Sequence, residues 1–173
     1  MKQIYLSLGS NLGQREQQLE RALELIQNRI GTLERVSRIY ESEPWGYSSD
    51  QLFYNCCASL RTGLGALDLM GHLLGIEQEM GRQREGKGYH DRIIDIDLLL
   101  YGDSRINHPD LTVPHPSMAD RRFVLLPLSE IAPRLIHPVS GASIQKMLED
   151  CADQSELRPV PYRFFSSSSS QNM

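Results

Sequence analysis

The sequence lacks long hydrophobic runs and has few cysteines. No apolar stretch approaches the roughly 20 residues that a transmembrane helix needs, and the first residues, Met1 to Tyr5, lack the apolar core of a signal peptide. The three cysteines, Cys56, Cys57 and Cys151, are odd in number and have no ligand spacing, which argues against a disulfide framework and against a zinc site. We therefore expect a cytoplasmic protein with free thiols and no membrane partner.

An excess of positive charge is also missing. The net charge is −4 at pH 7, so we expect any basic cluster to be local and no nucleic acid to be a partner.

A chain of 173 residues with 40% hydrophobic content can bury one core, which predicts a single domain over residues 1–162. Residues 163–173 contain five consecutive serines and are expected to form a disordered tail. We also expect a monomer.

The spacing of apolar residues predicts the order strand, helix, strand, strand, helix, strand. Two strand–helix–strand halves of similar length favour an α+β ferredoxin-like sandwich, with helices on one face of an antiparallel sheet and extra C-terminal elements. A doubly wound parallel sheet is the alternative, but a loop and not a helix joins the second and third strands. The predicted strands span residues 2–8, 33–41, 53–62 and 91–101, and the predicted helices residues 14–30 and 66–80.

The C-terminal third of the sequence gives weaker signals. Residues 112–116 are too rich in proline to predict regular structure. Residues 123–131 are compatible with a short helix or a buried segment, and residues 142–148 predict a last helix.

Two aspartates lie two residues apart on the last strand of the predicted core. Because side chains alternate along a strand, Asp95 and Asp97 share one face. Two like charges on one face repel each other, and a divalent cation is the obvious neutraliser. A half-exposed strand with an acidic outer face is the alternative, but Arg92 before the pair and the aliphatic residues 98–100 after it favour a buried strand.

The segment before this strand is a basic cluster in an acidic protein. Guanidinium groups suit phosphate oxygens, and a metal ion held by the neighbouring carboxylates suits the same phosphates. Because the sequence has no G-x-x-x-x-G-K-[ST] motif, phosphate binding has to rest on side-chain cations and metal. A solvated charged loop is the alternative. The basic residues are Arg82, Arg84, Lys87 and Arg92, against Glu85 and Asp91.

Aromatic and polar residues elsewhere suggest a site for a flat ligand. The loop over residues 43–51 carries the only tryptophan, Trp45, which suggests a lid, although anchoring of the loop to the core is the commoner explanation. Asn55 lies inside an apolar strand and must be hydrogen-bonded if it is buried. His115 stands between two prolines and is able to donate to a phosphate, and Arg121 with Phe123 adds a cation and an aromatic wall.

Together these motifs resemble the 6-hydroxymethyl-7,8-dihydropterin pyrophosphokinases of folate biosynthesis. The similarity runs in order over residues 2–140, and the number of ordered motifs makes it specific where no single motif is. The motifs are Leu8–Gly13, Tyr40–Gly46, Phe53–Asn55, Glu77 with Gly81 and Arg82, the Arg92-x-x-Asp95-x-Asp97 strand, and Leu111–Pro116.

The resemblance implies that the terminal diphosphate of ATP is transferred to the pterin hydroxymethyl group with release of AMP. It implies two Mg²⁺ ions, held by Asp95 and Asp97, and a catalytic set of Arg82, Arg92, Asp95 and Asp97. Contacts to ATP are assigned to Glu77, Arg84, Leu98, Thr112, His115 and Arg121. Contacts to the pterin are assigned to Gly9, Ser42, Pro44, Trp45, Phe53, Asn55 and Phe123.

Three residues depart from one well-known version of the family pattern. Tyr89, Asp110 and Pro116 stand where a tryptophan, a basic residue and a tyrosine can occur.

Two other functions compete with the pyrophosphokinase. A D-x-D glycosyl- or nucleotidyltransferase uses the same metal pair but gives no reason for the aromatic pair, and a non-catalytic ferredoxin-like binding module leaves the two aspartates unexplained.

Overall fold

The computed structural model describes residues 1–82 and 91–165. Within these ranges the chain forms eight strands, four α-helices and one short 3-10 helix. The strands are β1 (Lys2–Ser10), β2 (Gly31–Val36), β3 (Ile39–Ser42), β4 (Phe53–Thr62), β5 (Asp95–Tyr101), β6 (Ile106–His108), β7 (Leu111–Val113) and β8 (Arg158–Val160). The α-helices are α1 (Arg15–Arg29), α2 (Ala66–Glu79), α3 (Arg122–Ile131) and α4 (Ile144–Asp150), and the 3-10 helix spans Met118–Asp120.

Six strands form one antiparallel sheet in the order β5-β1-β4-β3-β8, with β2 also paired to β4. This arrangement confirms the ferredoxin-like α+β fold and is incompatible with the doubly wound parallel alternative. The central strand β1 pairs with β5 in a register that places Ser7 opposite Asp97 and Gly9 opposite Asp95. The aspartates therefore lie beside a strand end that has small side chains.

Helices α1 and α2 cover one face of the sheet, as predicted. In α1 the buried residues Leu19, Ala22, Leu23 and Ile26 recur at the spacing of one helical face, and they pack in the main core with β-strand residues such as Ile96. The predicted ends of both helices agree with the observed ends to within one residue. The apolar stripe of each helix therefore suffices to explain its orientation on the sheet.

A second helical layer covers the opposite face of the sheet. Helices α3 and α4 bury Leu125, Leu128 and Met147 against Cys57 and Leu100. Cys57 follows Cys56, which packs in the main core, because adjacent residues on a strand point to opposite faces. The extra C-terminal elements thus form this layer, which was not part of the expected one-sided arrangement.

Several predicted segments differ from the structure. The strand predicted over residues 91–101 begins only at Asp95, so residues 91–94 are not part of it. The strand predicted over 33–41 is divided into β2 and β3, and between them Ser37 exchanges two hydrogen bonds of 2.9 Å with the backbone of Cys57. The prediction that residues 112–116 have no regular structure is wrong for the first two, because β7 pairs with β6 and Pro114 follows that strand without interrupting it.

The end of the described chain contacts α1. The Tyr162 hydroxyl donates to Glu20 at 3.0 Å, and Phe164 and Phe165 are partly buried against the main core. Residues 166–173, which make up most of the predicted tail, lie outside the described residues. Over the part of the chain that the structure covers, we find no helix that is both long and apolar enough to cross a membrane.

Candidate active site

A cleft opens where β1, β4 and β5 meet the loop over residues 43–52. The part of the cleft around Asp95 and Asp97 is called its charged end, and the part around Trp45, Phe53 and Phe123 its aromatic end. The two parts adjoin, because the Arg92 guanidinium lies 5.8 Å from the centre of the Phe53 ring. The lining residues are Ser7, Gly9, Ser42, Glu43, Trp45, Tyr47, Phe53, Asn55, Arg92, Asp95, Asp97, Arg121 and Phe123.

Two arginines neutralise Asp95 at the charged end. Arg82 Nη1 donates to Asp95 Oδ1 at 2.8 Å, and Arg92 Nη1 lies 3.2 Å from Asp95 Oδ2. Both arginine side chains are mostly buried, with 14% and 13% of their side-chain surfaces exposed, so water screens these ion pairs less than it screens surface pairs. The carboxylate of Asp95, the first residue of β5, is therefore held between two cations.

Asp97 is less well compensated than Asp95. Its Oδ2 lies 3.8 Å from Arg121 Nη1 and 4.0 Å from His115 Nε2. Burial, helped by the neighbouring charge of Asp95 and opposed by Arg121, raises the pKa of Asp97 from 3.8 to about 7. This carboxyl group is thus held beside too little positive charge, which is the situation that a bound divalent cation corrects.

Glu77 supports the charged end from behind the strand. Its side chain is only 2% exposed and accepts hydrogen bonds from the Ile96 backbone N–H, at 2.8 Å, and from Arg82. Ile96 stands between the two aspartates, so one buried carboxylate fixes both the strand and the arginine. Glu77 is not a lining residue of the cleft, and its predicted contact with the nucleotide stays a prediction.

His115 is a neutral donor beside Asp97. Burial, with a smaller contribution from Arg121, lowers the pKa of His115 to about 4. The Ser117 backbone N–H donates to His115 Nδ1 at 3.2 Å, so the proton of the neutral ring is on Nε2, the atom that faces Asp97. The ring can therefore donate to a phosphate oxygen at neutral pH.

Aromatic rings form the other end of the cleft. The guanidinium of Arg121 lies 4.6 Å from the centre of the Trp45 ring and 5.7 Å from that of Phe123. Tyr47 stands edge-on to Phe53, with ring centres 6.4 Å apart. These rings give the cleft flat apolar walls, and Arg121 joins them to the charged end.

Asn55 provides a polar group among these rings. It is 2% exposed, and its Nδ2 donates to Ser42 Oγ at 2.7 Å, which confirms that the buried amide is hydrogen-bonded. A Cβ atom at Gly9 would lie 3.1 Å from Asn55 Oδ1 and 3.5 Å from the Phe53 ring. The absence of a side chain at Gly9 therefore leaves space beside the acceptor oxygen of Asn55.

The structure brings most of the predicted site residues together, but not all. Leu98 points into the main core, and Thr112 is exposed on β7. Pro44 is next to a lining residue but does not line the cleft itself. Arg84 and Tyr89 lie outside the described residues. The roles of all these residues stay predictions.

Three lining residues were not predicted, namely Ser7, Glu43 and Tyr47. Ser7 is two residues before Gly9 on β1, so strand alternation alone places both on the same face. Glu43 and Tyr47 belong to the loop that was singled out for its tryptophan, but no periodicity within a loop shows which side chains point inward.

The donor set at Asp95 and Asp97 fits magnesium better than a transition metal. Among residues 1–82 and 91–165, no group of three or more histidine, cysteine, aspartate or glutamate side chains is arranged to hold a metal ion. Magnesium is usually held by one or two carboxylates together with substrate phosphates, which is what a pair of strand aspartates offers. The shortage of positive charge at Asp97 supports the same assignment.

Comparison with known proteins identifies the family. The family model for 7,8-dihydro-6-hydroxymethylpterin-pyrophosphokinase (HPPK) matches residues 5–133. A curated 2-amino-4-hydroxy-6-hydroxymethyldihydropteridine pyrophosphokinase of Porphyromonas gingivalis is 48% identical over 138 residues, which are 78% of this chain and 93% of the relative. The Bacillus subtilis protein of the same name is 40% identical, over 80% of this chain and 83% of its own length.

Solved structures agree on the fold. The structure of wild-type Plasmodium falciparum HPPK-DHPS with pteroate superimposes with a TM-score of 0.72 at 17% identity. The match covers 86% of this chain and 44% of the Plasmodium chain, so the chain spans less than half the length of that longer protein. At this identity the likeness establishes the fold, while the family rests on the model match and the curated relatives. The chain belongs to the 7,8-dihydro-6-hydroxymethylpterin-pyrophosphokinase family.

Proposed function

We propose that this pyrophosphokinase of folate biosynthesis transfers the terminal diphosphate of ATP to the hydroxymethyl group of 6-hydroxymethyl-7,8-dihydropterin and releases AMP. Family membership supports the activity, and the observation that carries the residue roles is the division of one cleft into two ends. Asp95 and Asp97 with their arginines form the charged end, and aromatic walls with Asn55 form the adjoining aromatic end. A phosphate chain and a flat heterocycle are the ligands that these two ends suit.

The aromatic end is the proposed pterin subsite. Phe53 and Phe123 offer faces to a planar ring, and Asn55 Oδ1 accepts a hydrogen bond from a ring N–H or amino group. Because Ser42 holds the Asn55 amide in one orientation, the ligand meets an acceptor that is already in position. A ligand that lacks the matching donor leaves this buried oxygen unpaired, which favours the pterin over other flat rings.

The charged end is the proposed site for the triphosphate. Arg82, Arg92 and Arg121 supply guanidinium groups, and His115 Nε2 supplies a neutral donor. Asp95 and Asp97 would hold two Mg²⁺ ions, which when bound neutralise the triphosphate and bring the attacking and leaving oxygens into line. Arg84 and Thr112 remain further predicted contacts to ATP.

Positioning and charge stabilisation account for catalysis in this proposal. Two arginines lie against Asp95, beside the position expected for the transferred group, so they stabilise the charge that its oxygens carry during transfer. The loop over residues 43–52 contributes Trp45 and Tyr47 to the cleft wall and helps to exclude water, which suppresses hydrolysis of ATP.

An assay of both reaction products tests the proposed function. We expect the protein to form AMP from ATP only when both Mg²⁺ and 6-hydroxymethyl-7,8-dihydropterin are present, with equal amounts of pterin diphosphate, as measured by chromatography of both products. Release of AMP without the pterin, or no AMP under any of these conditions, would contradict the proposal. A pterin with a methyl group in place of the hydroxymethyl group is the matched control, because it fills the subsite but has no attacking oxygen.

The wider context of the protein is also part of the proposal. We infer a single domain over residues 1–162, acting as a monomer in the cytoplasm on two small molecules and not on nucleic acid. The free, buried thiols of Cys56, Cys57 and Cys151 support a reducing compartment. Sedimentation equilibrium, which measures molar mass in solution, tests the monomer.

Gly9→Ala is expected to weaken pterin binding without unfolding the protein. The added methyl would lie 3.1 Å from Asn55 Oδ1, in the space beside the proposed acceptor. We expect the KM for the pterin to rise about tenfold, equivalent to about 1.4 kcal/mol, while the KM for ATP changes little. Gly71→Ala, on the exposed side of α2 where nothing lies within 4 Å of the new methyl, is the control. Equal values for the pterin in both variants would contradict this role.

A further inference from the structure

Asp91 binds three side chains from two other parts of the chain. Its Oδ1 accepts hydrogen bonds from Asn11 Nδ2 at 2.8 Å and from the Tyr47 hydroxyl at 2.9 Å. Its Oδ2 accepts from Ser49 Oγ at 2.9 Å. Asn11 is in the turn after β1, whereas Tyr47 and Ser49 are in the loop over residues 43–52. We call these four residues the Asp91 cluster.

The Asp91 cluster is tied to the backbone of the charged end. Asn11 is fully buried, and its Oδ1 accepts from the Arg92 backbone N–H at 2.7 Å. The Asn11 backbone N–H donates in turn to the Arg92 carbonyl at 3.0 Å. These two bonds do not involve the Asp91 carboxylate, so they hold Arg92 in place whether or not the carboxylate is there.

The same cluster fixes the loop over residues 43–52. Asn11 Nδ2 also donates to the Gln51 carbonyl at 3.2 Å and to the Tyr47 oxygen at 3.1 Å. Of these contacts, only those made by Asp91 are charge-assisted and reach both Tyr47 and Ser49. The carboxylate is therefore one of two charged groups that hold the loop, together with Arg15, whose Nη1 donates to the Leu52 carbonyl at 2.8 Å.

The charges of the cluster keep the contacts in place at neutral pH. Burial and the hydrogen bond to Asp91 raise the pKa of Tyr47 to about 12, so its phenol remains a donor. Desolvation raises the pKa of Asp91, but the hydrogen bonds from Ser49, Asn11 and Tyr47 outweigh it and leave the pKa below its usual value. The pair is thus a phenol that donates to a carboxylate.

Tyr47 connects this cluster to the cleft. Its ring lines the cleft and stands edge-on to Phe53, while its hydroxyl is held on the far side by Asp91 and Asn11. We propose that Asp91 is a positioning residue for the pterin subsite: its carboxylate holds the loop over residues 43–52 against the sheet and sets the Tyr47 ring beside Phe53. The identity of the ligand rests on the proposed function, whereas the contacts themselves do not.

A residue that only stabilises the fold would act differently. Loss of general stability lowers the unfolding free energy and the amount of active protein, but it does not change KM values selectively. Loss of positioning raises the KM for the pterin, because the free energy of ordering the loop is then taken from pterin binding. The KM for ATP changes little, because Arg92 keeps its backbone bonds to Asn11.

The experiment compares Asp91→Ala, Tyr47→Phe and the double variant with wild type. Asp50→Ala is the matched control, because Asp50 is an exposed aspartate in the same loop. We expect Asp91→Ala to raise the KM for the pterin at least about tenfold while the KM for ATP stays within about twofold. The double variant is expected to raise the KM by less than the product of the two single effects, because both changes break the bond between Tyr47 and Asp91 and Tyr47→Phe otherwise removes only the bond from Asn11. Urea unfolding checks that each variant is folded.

A binding titration separates this proposal from the proposed function. Trp45, the only tryptophan, lines the cleft, so its fluorescence follows binding of the pterin in the presence of Mg²⁺ and a non-hydrolysable ATP analogue, without turnover. We expect a matching rise in the Kd of the pterin for Asp91→Ala. An unchanged Kd, an equal rise in the KM values of both substrates, or additive effects in the double variant would overturn the positioning role. A wild type that binds the pterin but forms no AMP would contradict only the proposed function.

Discussion

Asp97→Asn is expected to abolish diphosphate transfer and to stabilise the substrate-free protein. The activity should fall because the change removes one of the two carboxylates proposed to hold Mg²⁺, and we expect kcat/KM to drop at least about a thousandfold. The stability should rise because folding places Asp97 beside Asp95 in a poorly solvated position, where its pKa is about 7 and not 3.8. One substitution thus separates what the residue contributes to function from what it costs the fold.

The gain in unfolding free energy for Asp97→Asn depends on pH, because the pKa of Asp97 is higher in the folded protein than in the unfolded chain. In the unfolded chain the carboxyl group loses its proton near pH 4, whereas in the folded protein it keeps the proton until about pH 7. Folding therefore becomes less favourable as pH rises between these values, and the penalty is complete above pH 7. Asparagine does not titrate, so we expect its gain to be on the order of 2 kcal/mol at pH 8 and clearly smaller at pH 5.

Urea unfolding in EDTA at the two pH values measures this gain. Asp103→Asn is the control, because Asp103 is an exposed aspartate just after the same strand. A gain that is equal at pH 5 and pH 8 would show that the effect does not come from ionisation of Asp97. Mg²⁺-dependent formation of AMP by the Asp97→Asn variant at the wild-type rate would show that the metal assignment is wrong.

Glu77→Ala is expected to lower the unfolding free energy by about 3 kcal/mol, because it removes a buried carboxylate from two partners. The Ile96 N–H and the Arg82 guanidinium both donate to Glu77, and β5 is the last strand of the sheet, so this N–H relies on a side chain for its acceptor. We also expect kcat to fall, since the Arg82 guanidinium is then held by Asp95 alone among its described side-chain contacts.

Two further variants sharpen this test. Glu77→Gln keeps an oxygen for the Ile96 N–H but loses the charge that pairs with Arg82, so we expect a smaller loss of stability together with a lower kcat. Glu79→Gln lies on the same helix and breaks an exposed ion pair with Arg29, which should lower the unfolding free energy far less than Glu77→Ala does. Chemical denaturation and steady-state kinetics measure these effects. Equal losses for Glu77→Gln and Glu79→Gln would contradict the supporting role of Glu77.

The sequence indicated which side chains of β5 share a face more directly than it indicated which residues those side chains contact. Strand alternation places Asp95 and Asp97 together. The burial of Glu77 was not predicted, although Glu77 follows Leu69 and Leu73 at helical spacing on the buried face of α2. The repulsion between the two aspartates was also predicted, and the structure leaves Asp97 as the one with too little positive charge beside it. The cations that meet Asp95 in the substrate-free protein, Arg82 and Arg92, were expected on phosphates.

Contacts between distant segments were not predictable from periodicity. Asp91 meets Asn11, Tyr47 and Ser49 across 80, 44 and 42 residues, and no local pattern in a loop reveals such partners. The second helical layer was missed for a related reason, because Cys57 and Leu100 belong to strands that are buried on both faces and so show little alternation. The family resemblance indicated the site residues, but only the fold shows the hydrogen bonds that position them.

The strand β8 is expected to limit aggregation of the protein through the edge of its sheet. It has only three residues with Pro159 at its centre, and it pairs with β3, which would otherwise be open to pairing with another chain. A short strand whose middle residue has no N–H to donate is a poor template for adding further strands. We therefore expect the C-terminal segment to protect this edge of the sheet from pairing with another chain, next to the strand that carries Ser42 into the cleft.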